Sequence, residues 1–213
     1  MTADRPRLFG RASSHFTRVA AIYAHELGVA VERVVVRDLM ALDPAAYGGH
    51  PALKIPTLHV DGAVVFGAEP ICRRLAACAG RAADPRLVWP GQLVDPVATN
   101  THELTWHAMA AQVQLVVGTG FAGLPADNRF FVKAAAGLRG ALAWLDAHVD
   151  AAVAALPPRD LSLTEVGLFC LIEHLAFRPT VPLAPYPALA RFAAGFATRP
   201  AAAATRFALE STA

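Results

Sequence analysis

Charge is scarce in this chain. Only 17% of its 213 residues are Asp, Glu, Lys or Arg, the formal net charge is +2, and no basic run is longer than a pair. A nucleic-acid surface needs clustered cations, so no nucleic-acid partner is expected. Cysteine is scarcer still: Cys72, Cys78 and Cys170 are odd in number and lack a CxxC spacing. That excludes a disulfide framework or a zinc site of the paired-cysteine kind and fits a reducing cytoplasm. Uncharged apolar runs long enough to span a bilayer are missing, so no membrane partner is expected. The opening "MTADRPRLFGR" has no apolar stretch behind its arginines, as a secretory signal would. GxSxG, P-loop and GxGxxG patterns are absent. "HELTWH" comes near a zinc-protease motif, but Trp106 stands where the second His is required, and His107 is off the helical face of His102. No metal is expected.

Apolar residues are plentiful at 55%, enough for a sizeable core. Residues 7–11 read as a strand. Residues 15–27 repeat apolar groups at helical spacing, with Gly28 at the expected end, and Val31–Val36 form a β-branched run. A strand–helix–strand crossover makes the two strands parallel. "TLHV" and "AVVF" flank Asp61-Gly62, a strong hairpin signal. The helix "EPICRRLAACAG" then ends at Gly80. Beyond it strand signals stop. A Pro-containing linker, 81–96, precedes helices expected near 97–117, 127–156, 162–177 and 187–197. "LSLTEV" offers Ser162 as a cap, Glu165 three residues on, and a Leu161–Val166 staple.

Four segments together resemble the cytosolic glutathione transferases. "HPALKIPTLHVDG" is similar to that family's Asn-Pro-x-Gly-Lys-Val-Pro-x-Leu-x-x-Asp-Gly, and "ICRRLA" to its Ile-x-x-Tyr-Leu-Ala. "LSLTEVGLF" resembles the capping box of its long core helix, and "YPALARFAAGFATRPA" its Tyr-Pro-x-Leu to Arg-Pro helix. The resemblance implies an α/β thioredoxin-like domain at 1–80, a linker at 81–96 and an all-α domain at 97–213. It implies glutathione as co-substrate, a small hydrophobic electrophile as partner substrate, and a homodimer. The activity implied is conjugation of glutathione thiolate to that electrophile. Its rivals are a non-catalytic binding protein on the same fold and a thiol–disulfide or isomerase activity. The absence of Cys near residue 14 speaks against the disulfide version; no Tyr stands there either.

By the same resemblance the Ile55-Pro56 bond is cis and the Ile55 backbone pairs with the cysteinyl part of glutathione. "SHFTR" matches Ser-Pro-Phe-Val-Arg of bacterial serine-type members, which makes Ser14 the thiol-activating hydroxyl, with Ser13 as the alternative. Either could instead simply cap a helix. His15 stands in place of the family's Pro and either adds a donor near the sulfur or is solvated. Lys54 and His50 are candidates for the glycyl end. The family expects an acid or Gln and then a Ser to hold the γ-glutamyl end, where this chain has Gly67 and Ala68. The Ala68 amide can still receive a carboxylate. Glu69 either replaces the missing acid or is the N-cap or first-turn acid of a helix with Pro70 at its first position. Trp106, Phe121, Phe130, Phe131 and Trp144 are candidates for an acceptor wall, or core.

Overall fold

A computed structural model describes residues 5–210. Contacts divide the chain into two compact units, 1–84 with 199–213, and 85–198. The first unit is built on four strands: β1 (Arg7–Gly10), β2 (Glu32–Val35), β3 (Thr57–Val60) and β4 (Ala63–Phe66), in the order β2-β1-β3-β4. β1 pairs parallel with β2, from Arg7↔Glu32 to Gly10↔Val35, because α1 (His15–Glu26) carries the chain back between them. β3 runs antiparallel to both β1 and β4. The hairpin turns on Asp61 and Gly62, at φ 50° and 74°. Positive φ at both central residues suits the twist of the flanking strands, hence the Asp-Gly pair. α2 (Ala68–Cys78) follows β4 and packs against α1. Val19, Ile22, Tyr23, Leu58, Ile71 and Leu75 are among the core residues of this unit.

The second unit is helical: α3 (Pro96–Leu115), α4 (Arg129–Ala155), α5 (Leu163–Phe177) and α6 (Pro187–Phe196). α5 is buried nearly all round, from Leu163 to Leu175, so it forms the centre and packs on α3 and α6. α3 runs into a π-type turn at Val116–Phe121.

Four expectations are corrected. The linker contains a short strand, β5 (Leu87–Val88), paired parallel with β6 (Leu161–Ser162). Two residues are too few to show a periodicity. Ser162 occupies the cap of α5 without a side-chain hydrogen bond to the helix. Glu165, its expected reciprocal partner, is held by the Arg159 guanidinium at 2.6 and 2.8 Å. A two-pronged charge-assisted contact outcompetes a single amide. A further short helix, α7 (Pro200–Ala204), follows α6. Finally, the described residues from 199 to 210 group with the first unit instead of the helical one. Arg199 reaches Glu26 at 2.7 Å, and α7 packs on α1.

Candidate functional site

Strand register brings three segments to one end of the first unit's sheet. Phe9 lies opposite Thr57, and Thr57 opposite Phe66. Each chain then leaves the sheet at that end: β1 into the loop before α1, β3 back into Ile55-Pro56, and β4 on into α2. The Gly67 N–H donates to the Pro56 carbonyl at 3.2 Å, tying two of these segments together.

The start of α1 is furnished with side chains. Ser14 is its N-cap, its hydroxyl oxygen accepting the Thr17 N–H at 3.3 Å. The Ser14 N–H donates to the Arg11 carbonyl at 3.1 Å, and the Arg11 N–H to the Thr17 hydroxyl at 3.4 Å. Thr17 can come this close only because residue 10 is glycine: a Cβ there would lie 2.4 Å from Thr17 Oγ1. Ser13 is buried and Ser14 half-buried. His15 is 1% exposed, its ring edge-on to Phe16 at 4.7 Å, so the solvated alternative is overturned.

The Ile55-Pro56 peptide bond is cis. Among the described residues neither the N–H nor the C=O of Ile55 pairs with another backbone group. A chain laid beside Ile55 therefore finds a donor and an acceptor there, as an added strand would.

The start of α2 is bare by comparison. Its N-cap is Gly67, at φ 84° and ψ 154°, with no side-chain hydrogen bond. The first helical bond runs from Ile71 N–H to Gly67 C=O. The Ala68 and Glu69 amides thus have no intrahelical acceptor, as at any helix start. The expected frame is corrected here. Glu69 is not the cap, and Pro70 is the third helical residue instead of the first, a place where its missing N–H still costs nothing. The Glu69 carboxylate lies along the helix on Arg73, at 2.8 Å, and not over the open amides.

Residues 13–78 match the family model "Glutathione S-transferase, N-terminal domain". Solved structures match over nearly the whole chain. A glutathione transferase family member from Pseudomonas fluorescens Pf-5 with bound glutathione is 22% identical, covers 96% of this chain and 100% of its own, and has a TM-score of 0.77. A glutathione S-transferase from Methylobacillus flagellatus KT with glutathione bound is 21% identical, covers 95% and 100%, and has a TM-score of 0.76. The enzyme from Methylobacterium radiotolerans JCM 2831, in complex with glutathione sulfonate, is 22% identical, covers 98% of each chain, and has a TM-score of 0.71. No curated protein matches the sequence. The chain is a glutathione-transferase-fold protein.

Within this transferase fold the remaining candidates divide. Lys54 is exposed just ahead of the cis bond. His50 turns inward on its own loop, Nδ1 accepting the Ala52 N–H at 3.1 Å and the ring resting on Phe66 at 4.6 Å. Partial burial, and then the Lys54 cation, hold its pKa below the ordinary histidine value. His50 is therefore a neutral loop-ordering group at neutral pH. Of the aromatics, Phe131 is core, closed over Gly118. Trp106 donates to the His102 ring at 2.7 Å. Phe130 is exposed and lines a cleft of about 500 Å³ between α3 and α4 with Leu104, His107 and Lys133. Among the described residues no cluster of His, Cys, Asp or Glu could hold a metal, and no helix is long and apolar enough to cross a membrane.

Two contacts in the loop before α1 escaped the sequence. The hydroxyl of Thr17 accepts the Arg11 N–H in the loop before α1, and a Gly several residues ahead of a Thr is too common a pattern to reveal it. The Glu210 carboxylate accepts the Ala12 N–H from 198 residues away, and no local signal reports a contact at that separation.

Proposed function

We propose that this protein binds glutathione at the end of the sheet where Ser14, Ile55 and Ala68 converge, and transfers its thiolate to a small hydrophobic electrophile. The observation that carries the reading is that convergence: an unpaired Ile55 backbone before a cis proline, between two helix N-termini. The cysteinyl backbone of the tripeptide pairs with Ile55. The γ-glutamyl carboxylate takes the open amides of Ala68 and Glu69. Ser14 accepts the Thr17 amide and keeps its own O–H proton for the sulfur, since one hydroxyl can accept and donate. Donation to the anion, together with the positive end of α1, lowers the thiol pKa. The proton leaves to water, the thiolate forms a C–S bond to the electrophilic carbon, and that carbon's leaving group or π electrons take the displaced pair. Lys54 supplies a cation for the glycyl carboxylate. The reading has the chain working as a homodimer in the cytosol, where Cys72 and Cys170 stay buried thiols and Cys78 an exposed one.

A second reading is favoured by one observation. Gly67 and Ala68 offer no side-chain donor or acceptor, and Glu69 is occupied by Arg73. A glutathione-transferase-fold binding protein with weak or lost glutathione affinity would look like this. Calorimetric titration with glutathione, combined with conjugation assays against small aryl and alkyl halides, separates the two. Micromolar binding and a rate that falls about 10- to 100-fold in Ser14→Ala, but not in Ser13→Ala, supports the transferase. Millimolar or no binding, with no conjugation, supports the binding protein.

A further inference from the structure

The chain beyond α6 does more than end. Arg199 reaches Glu26, and Arg18, almost fully buried in α1, grips the residues of α7 and just past it: its Nη2 donates to the Ala202 carbonyl at 3.1 Å and its Nε to Thr205 Oγ1 at 3.4 Å. Its guanidinium also lies 4.4 Å from the centre of the Phe207 ring. These contacts fasten the C-terminal segment to α1. They leave Glu210 pointing into the loop between β1 and α1. Its side chain is only 13% exposed. One carboxylate oxygen accepts the Ala12 N–H, and the other lies 3.9 Å from Arg33 Nη2. A hollow of about 270 Å³ beside it is lined by Arg11, Arg18, His25, Arg33 and Arg206, so the surroundings favour an anion.

The turn from Arg11 to Ser14 has three amides with a defined acceptor. Two are met locally, Arg11 by the Thr17 hydroxyl and Ser14 by the Arg11 carbonyl. The third, Ala12, is met by Glu210, from the C-terminal segment. A carboxylate on an amide is a charge-assisted bond, stronger than a neutral one. Ala12 stands two residues before Ser14, so a displacement of its amide is passed on to the cap hydroxyl through a single turn.

We propose that Glu210 is a positioning residue for the thiol-activating loop: it fixes the Ala12 amide and thereby the direction of the Ser14 hydroxyl. This rests on the role of Ser14 given under the proposed function. The C-terminal segment is then part of the site's support.

The test is the pKa of bound glutathione thiol, read from thiolate absorbance across pH, with the pH–rate profile beside it. Full-length Glu210→Ala, Glu210→Gln, Leu209→Ala and Ser14→Ala are compared with the unaltered protein. Glu210→Ala is expected to raise the thiol pKa and to cut the neutral-pH rate about tenfold, the weight of one charged hydrogen bond, while the high-pH plateau and the KM for glutathione stay near their starting values. Glu210→Gln recovers part of the loss, because its amide oxygen still accepts from Ala12. Leu209→Ala, an exposed neighbour, changes nothing. Should Ser14→Ala raise the thiol pKa while both Glu210 variants leave it unmoved, Glu210 is only a structural clamp and the proposal is overturned. Should Ser14→Ala itself leave the thiol pKa unmoved, or should glutathione not bind, the reading of Ser14 fails and the role of Glu210 falls with it. If Glu210→Ala does not fold, Glu210→Gln decides.

Discussion

Two helices begin at the same end of the sheet and are finished in opposite ways. At α1 the first turn is capped by Ser14, braced by Thr17 and Arg11, and tied to Glu210. At α2 the cap is Gly67, the next residue is Ala68, and the one acid in the first turn faces Arg73. Helix starts carry the same unsatisfied amides and the same positive potential. What differs is whether the protein's own side chains occupy them. At α1 they do, so a ligand there must be read by the hydroxyl that already caps the helix. At α2 they do not, so a ligand carboxylate meets backbone alone, with neither a hydroxyl nor an acid to complete the grip.

Four changes break or sharpen this contrast. The largest effect belongs to Gly10→Ala, which drives a methyl into Thr17 and dismantles the α1 end; overpacking of this kind costs up to about 3 kcal/mol, measured by denaturant unfolding. Next is Ala68→Ser, which gives α2 the hydroxyl that α1 has. Glutathione affinity should rise about tenfold in calorimetry, and an unchanged Kd would show that the bare amides already hold the carboxylate fully. Ser14→Ala removes the α1 cap and should cost about 1 kcal/mol of stability beyond its effect on rate. Glu69→Gln releases Arg73 on an exposed helix face; stability should move by less than about 0.5 kcal/mol and glutathione affinity should not fall, whereas a large loss of affinity would show that Glu69 does reach the ligand.

The pH dependence near the site is smaller and has a definite sign. The His50 pKa lies below its ordinary value in the folded protein. The unfolded chain then takes up the proton first, so stability declines as pH falls through about 6.5. His50→Asn should flatten that decline in melting curves recorded across the interval.

Much of the first unit was legible because its signals are local. Asp61-Gly62 announced a turn whose two residues have positive φ, Gly28 ended α1 at φ 67°, and Ser14 lay one residue before the first helical position. The cis Ile55-Pro56 bond followed from resemblance, not from any property of the dipeptide. The site's partners were less legible. Of the two readings of Glu69, the structure has the first-turn acid, with Arg73 one turn on holding its carboxylate. His15 looked like a surface histidine and is buried, its ring edge-on to Phe16. At the C-terminal end, "RPAAAATR" has helix-forming alanines, but nothing in their order tells which unit they join.

What the sequence alone determined is the kind and order of the longer elements: periodicity, glycine positions and turn pairs act over a few residues, and the backbone answers them directly. Only the tertiary structure decided which acceptor each donor takes. Arg159 claimed Glu165 away from a capping box, and Glu210 claimed an amide 198 residues distant. A hydrogen bond is won by whichever partner packing brings within about 3 Å at the right angle, and that competition is settled by the fold and not by neighbours along the chain.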